Sequence, residues 1–158
     1  MTYPCVTGEH THYTETAWRR CSRHAEAQAK RARRRAAEIG REHGDNAASW
    51  WEQDAVGGRV AAVPAHDTAR RVLRGLEDGD PAILEALPAP DLSGEWADGY
   101  TPDQLAEECG LGPYPEDRPE VVWQGWLALR EELCDVYENA FIDAATAAVV
   151  VACKGVLP

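Results

Sequence analysis

The chain has little that would carry it into or across a membrane. It lacks an N-terminal apolar segment of the secretory kind, and no apolar run approaches the roughly 18–20 residues that a bilayer span needs. Its most apolar stretch, Ala144 to Cys153, is short. Its five cysteines are an odd number, so a disulfide framework is not expected in a chain of this kind. The expected location is cytoplasmic, with no membrane partner. Catalytic signatures are also missing. No Gly-rich phosphate loop occurs, and Leu92-Ser-Gly-Glu-Trp-Ala-Asp98 is not a Gly-x-Ser-x-Gly nucleophile elbow. No internal repeat recurs, and no two alternating runs are joined by a hairpin turn.

Positive charge is scarce outside one region. Residues 1–43 carry nine Lys/Arg against five Asp/Glu, a net of +4, while the remaining residues carry seven against 22, a net of −15. The whole chain of 158 residues stands at −11. Each phosphate contact needs a cation, so nonspecific nucleic-acid binding by the whole surface is excluded. Any such binding falls to the N-terminal region. The acidic remainder suits solubility or a basic protein partner.

What the first 43 residues do hold is Cys5, His10, His12, Cys21 and His24, followed by the run Lys30-Arg31-Ala32-Arg33-Arg34-Arg35. Cys21 and His24 lie three apart near the start of a helix and can face one point. Cys5 with His10 or His12 lies on an approach that can fold back to them. Thiolate and imidazole in a closed tetrahedral set suit structural zinc, so Cys5, either His10 or His12, Cys21 and His24 are the expected metal ligands. The order resembles the small zinc knuckles of bacterial and phage proteins, although those open with Cys-x-x-Cys and this chain has four residues between Cys5 and His10. Reducing conditions disfavour a Cys5–Cys21 disulfide.

The periodicity predicts a mainly α protein of about one domain. Trp18, Cys21, Ala25, Ala29, Ala32, Ala36 and Ile39 recur every three or four residues, which predicts a helix over 14–43 with an alanine face that a partner helix can approach closely. Gly44 is its expected stop, and Asn46 the cap of a short helix over 47–53. Arg20, Arg23, Lys30, Arg31, Arg34 and Arg35 lie off the alanine face and are the expected nucleic-acid contacts; a solvated basic face is the plainer alternative. After a connector over 55–65, Asp67 should cap a helix ending at Gly79. Asp80-Pro81 should start another, which stops before Pro88. Thr101-Pro102 and Gly110 bracket a further helix, and a long one should run from about Pro119 to Cys153. Its expected stripe is Trp126, Leu129, Leu133, Tyr137, Ala140, Ala144, Ala148 and Val151. Trp50, Trp51, Trp96, Trp123 and Trp126 should supply much of the core.

Other candidates are thinner. Thr101 to Leu111 looks like the first half of a helix-turn-helix unit, but an acidic, proline-broken segment follows where a recognition helix should stand. Glu131-Glu132-x-x-Asp135 resembles the acidic motif of all-α, magnesium-dependent nucleotide pyrophosphohydrolases, without the second acidic motif on a following helix. Glu131, Asp135 and Glu138 share a helical face that reads more simply as solvated. Cys109, Cys134 and Cys153 are expected as apolar helix residues rather than nucleophiles.

Four segments in order, Asn46-Ala-Ala-Ser-Trp50, Arg71 to Pro81, Leu92 to Asp98 with Thr101-Pro102, and Asp135 to Phe141, resemble a family of small actinobacterial and actinophage proteins. The resemblance covers about residues 46–143. It implies a phage or mobile-element setting and a compact helical body, and it carries over no catalytic residues. The expectation is thus a Cys/His arm and basic helix over 1–45 joined to an acidic helical body over 46–158. As a whole this would be a small non-catalytic accessory or regulatory protein contacting nucleic acid or a nucleoprotein. The alternative is an acidic interaction module that modulates a basic host protein. The alanine face and the long C-terminal helix both permit a homodimer.

Overall fold

The computed structural model describes residues 2–4, 11–52, 62–94, 99–112 and 120–158, and they are mainly helical. A two-residue antiparallel pair comes first, β1 (Tyr3–Pro4) and β2 (Thr11–His12), with Tyr3 opposite His12 and Pro4 opposite Thr11. Strands this short leave no alternation to detect, which is why the sequence did not announce them. Five helices follow: α1 (Glu15–Glu52), α2 (Ala62–Asp78), α3 (Pro81–Ala86), α4 (Pro102–Glu108) and α5 (Glu120–Gly155).

Most helix ends follow from local chemistry. Thr14 Oγ1 accepts the Ala17 N–H at 3.2 Å and starts α1. Gly79 at φ +66° closes α2, and the Asp80 N–H reaches back to the Gly75 carbonyl at 2.8 Å. Asp80 then caps α3 by accepting the Ala82 N–H at 3.0 Å, with Pro81 at the first helical position. At α4, Thr101 and Gln104 form a reciprocal capping box. Gly110 at φ +82° ends it, with Leu111 N–H to Ala106 O and Gly110 N–H to Glu107 O both at 2.9 Å.

Two expected boundaries are corrected. Helix α1 does not stop at Gly44 but continues to Glu52, so Asn46 is an exposed interior residue and no separate helix begins there. Residues 47–52 of the expected short helix are the end of α1, and Gln53 lies outside the described residues. Helix α2 begins at Ala62 rather than after Asp67, with Pro64 inside its first turn where no donor is needed. Asp67 instead makes an i,i+3 pair with Arg70 at 3.8 Å.

The chain forms two compact units, Met1–Ala36 with Asp91–Val136 and Ala37–Pro90 with Tyr137–Pro158. Both α1 and α5 contribute to each. In the first unit, Ala32, Ala36, Leu105, Ala106, Cys109 and Leu133 are buried. In the second, Ala48 of α1, Ala69 and Val72 of α2, and Val149 and Cys153 of α5 form one buried cluster. Trp51, Leu73, Leu76, Ile83 and Leu87 pack against it. Helix α3 is drawn against α2 at Gly75, where a Cβ would collide with the Ile83 side chain.

The reason α1 runs through Gly44 lies in the second unit. A Cβ at Gly40 would collide with the Tyr137 carbonyl oxygen, and one at Gly44 with that of Phe141. The two glycines, one turn apart, let α1 touch the backbone of α5 there. Close approach outweighs the roughly 1 kcal/mol that an interior glycine costs a helix.

The buried stripe of α5 also differs from expectation. Leu133 and Tyr137 are buried as expected, but the row continues through Phe141, Ala145, Val149 and Cys153. Ala140, Ala144 and Ala148 are half-buried, and Val151 is 71 % exposed. Steps of four residues overshoot a 3.6-residue turn, so the row slants around the helix, as four-residue ridges do when they seat in a neighbour's grooves. On α1 the buried residues Ala32, Ala36, Gly40, Gly44 and Ala48 take the same four-residue step.

The tryptophans do not fill the core. Trp18, Trp51, Trp123 and Trp126 are all half-buried, and the fully buried set among the described residues contains none. The buried aromatic side chains among the described residues are instead Tyr137 and Phe141. The side chain of Trp50, and Trp96 altogether, lie outside the described residues. By length and composition alone, Val122–Gly155 qualifies as a membrane-crossing helix, with a mean hydropathy of 1.4 in its best window. The expectation that no run approaches that length is corrected to this extent. A mostly buried core helix passes the same test; 28 % of that window is buried here.

Candidate nucleic-acid interface

The basic residues of α1 divide by their angle around the helix. Arg20, Arg23, Lys30, Arg31, Arg34 and Arg35 are all exposed, as their position off the alanine face requires. Arg33 is not among them. It sits one residue past buried Ala32 and three before buried Ala36, at the rim of the packed face. There it makes a two-pronged ion pair within the first unit: Nε donates to Glu132 Oε1 at 2.7 Å and Nη2 to Oε2 at 2.9 Å. That hydrogen bond holds the Glu132 carboxyl below its usual range and raises the Arg33 guanidinium. The sequence reading already places Arg33 in the basic run but outside the outward set. Its spacing from Ala29, Ala32 and Ala36 is the signal that does so.

Arg35 is exposed but engaged, with Nη2 at 3.4 Å from Glu108 Oε1. The Tyr100 hydroxyl donates to the other oxygen of the same carboxylate. Arg130, expected nowhere as a site residue, ties α5 to α4 through Asp103 at 2.6 Å and stacks over Trp126 at 5.6 Å. Arg19 pairs back to Glu15 at 2.5 Å. The Arg23 Nε donates to the Arg19 carbonyl at 3.3 Å. Over residues 15–36, α1 carries eight Lys/Arg and two Glu.

The expected metal ligands are placed only in part. Cys5 and His10 lie outside the described residues. His12 is buried on β2, Cys21 is half-buried and His24 exposed on α1. Among the described residues, no group of three His, Cys, Asp or Glu side chains is placed to hold a metal ion. The β1–β2 pairing does bear on the arm. Pro4 and Thr11 are partners, and Cys5 and His10 are their next neighbours in the sequence.

The carboxylates Glu131 and Asp135 are exposed, and Glu132 is taken up by Arg33. A magnesium site would have to break that pair. Cys109 is buried, and burial pushes its thiol up to about 11, so it is protonated and unreactive at neutral pH. Cys153 is buried and Cys134 half-buried. The half-motif at Thr101 to Leu111 is a capped and terminated helix, and residues 113–119, where a recognition helix would begin, lie outside the described residues.

Compared with known proteins, the chain matches no protein-family model, no curated protein and no solved structure.

Proposed function

We propose that this chain is a small non-catalytic accessory or regulatory protein of a phage or mobile element, which contacts nucleic acid or a nucleoprotein through the outward face of α1. The observation that carries the reading is the exposure of Arg20, Arg23, Lys30, Arg31 and Arg34 on a helix whose opposite face is packed. A cation row on a fixed helix loses little conformational freedom on meeting phosphates, and counterion release supplies the affinity. Structural zinc held by Cys5, Cys21, His24 and one imidazole from His10 or His12 would tether the arm to the start of that helix, and the short hairpin supports such a closure. The acidic remainder, at −15 over residues 44–158, favours a second reading in which a basic host protein is the partner.

One variant with Arg20, Arg31 and Arg34 all changed to Glu tests the first reading. Binding to DNA or RNA should fall at least 100-fold at low salt, while far-ultraviolet circular dichroism stays unchanged. Undiminished binding would sink it. Native mass spectrometry before and after a zinc chelator tests the arm: one zinc, lost with N-terminal structure, supports it, and metal-free reduced protein rejects it. Salt-sensitive capture of a basic host protein, with no affinity for nucleic acid, would favour the second reading.

A further inference from the structure

Resting on the reading of α1 as the nucleic-acid face, we infer that its ligand is double-stranded DNA, entered through the major groove, with Arg31 as the residue that reads a base edge. Arg20, Ala27, Arg31 and Arg34 succeed one another at steps of seven, four and three residues, and all four are exposed. That spacing tracks the 3.6-residue turn, so they form one straight row along the helix. Arg23 and Lys30 flank it, two turns apart.

The row is long enough to cross a groove. The fourteen steps from Arg20 to Arg34 at 1.5 Å each span about 21 Å, which exceeds the roughly 12 Å width of the major groove of B-form DNA. The ends of the row, Arg20 and Arg34, therefore fall at the bounding phosphate backbones when its middle lies in the groove. The middle holds Ala27, whose single methyl lets the helix come close. One turn on stands Arg31, with reach for the O6 and N7 acceptors of a guanine. No acidic residue interrupts the row; Glu38, four residues beyond Arg34, ends it.

The same face is poorly made for the other nucleic acids. Residues 19–35 contain no Phe, Tyr or Trp, so the row offers single-stranded bases none of the broad aromatic platforms on which they stack. A-form RNA keeps its major groove too deep and narrow for a helix. The sequence alone left DNA and RNA open. The straight row without these aromatics is what separates them.

Fluorescence anisotropy with the full chain tests this on a 20-base-pair DNA duplex, its separated strands, and the equivalent RNA duplex, between 50 and 200 mM salt. Duplex DNA should bind at least 10-fold tighter than either competitor. Selection from a randomised duplex pool should then return a preferred site. Arg31→Ala should flatten the preference at one guanine and cost roughly 5- to 150-fold on that site. Arg20→Ala and Arg34→Ala should weaken every sequence alike and each lower the salt slope by about one. Equal or tighter binding to single strands or RNA would overturn the duplex assignment and leave the nucleic-acid reading standing. A base preference that Arg31→Ala does not touch would overturn its role. No binding to any of the three would overturn the nucleic-acid reading itself.

Discussion

Arg33 and Arg34 are neighbours in one basic run, yet a 100° turn gives them different fates. Arg34 is exposed, whereas Arg33 closes on Glu132 with both prongs of its guanidinium. The side chains of that pair remain 40 % and 45 % exposed, so solvent screening keeps its worth to about 0.2–1 kcal/mol. Its pH signature is nonetheless defined. Because the Glu132 carboxyl lies below its ordinary value when folded, its contribution is present above the unfolded carboxylate pKa and is lost as pH falls through the folded one. Glu132→Gln should therefore lower the urea midpoint slightly at pH 7 and by less at acid pH, where the carboxyl of Glu132 takes up a proton and is uncharged like Gln. Equal effects at both pH values would show that the charge is irrelevant. At this scale the sequence was half legible. The outward arginines followed from the alanine face, but the partner of Arg33 lies 99 residues away, and no local pattern encodes that.

Helix ends were the most legible elements, because a cap is written in three or four adjacent residues. Asp80-Pro81, Thr101-Pro-x-Gln104, Gly79 and Gly110 all act as their chemistry dictates. Gly44 misled because a glycine has two uses. It can turn the chain at positive φ, or it can remove a side chain so that another backbone may approach. Only the tertiary partner, the carbonyl of Phe141, decides between them. Gly44→Ala should thus destabilise the fold by about 1–3 kcal/mol through overpacking, although alanine is the better helix former. An exposed control such as Ala27→Gly should instead cost about 1 kcal/mol from helix propensity. Chemical denaturation of both variants checks the contrast, and a stabilising Gly44→Ala would refute the close approach. The stripe of α5 was misread for a related reason. A straight 3.6-residue stripe and a slanting four-residue row share Leu133 and Tyr137, and diverge only beyond them.

For the whole molecule, composition and packing draw different lines. The charge changes sign near residue 43, while the compact units divide both α1 and α5 near Ala36 and Val136. A fragment of residues 46–158 keeps the acidic portion but loses Ala32, Ala36, Ile39, Gly40 and Gly44, all buried. It should show no cooperative thermal transition under conditions where the full chain melts in one. A cooperative melt of the fragment would mean that the acidic portion folds alone. The mainly α architecture was legible because helical periodicity is local. The division into units was not, because it depends on which distant segments meet.

Neither unit is a continuous stretch of chain, and this has a consequence during synthesis. Residues 1–36 leave the ribosome early, but the segment that completes their unit ends only at Val136. At roughly 5–20 residues per second, the intervening hundred take about 5–20 s to translate. Through that interval Ala32 and Ala36, which the finished unit buries, have no native cover.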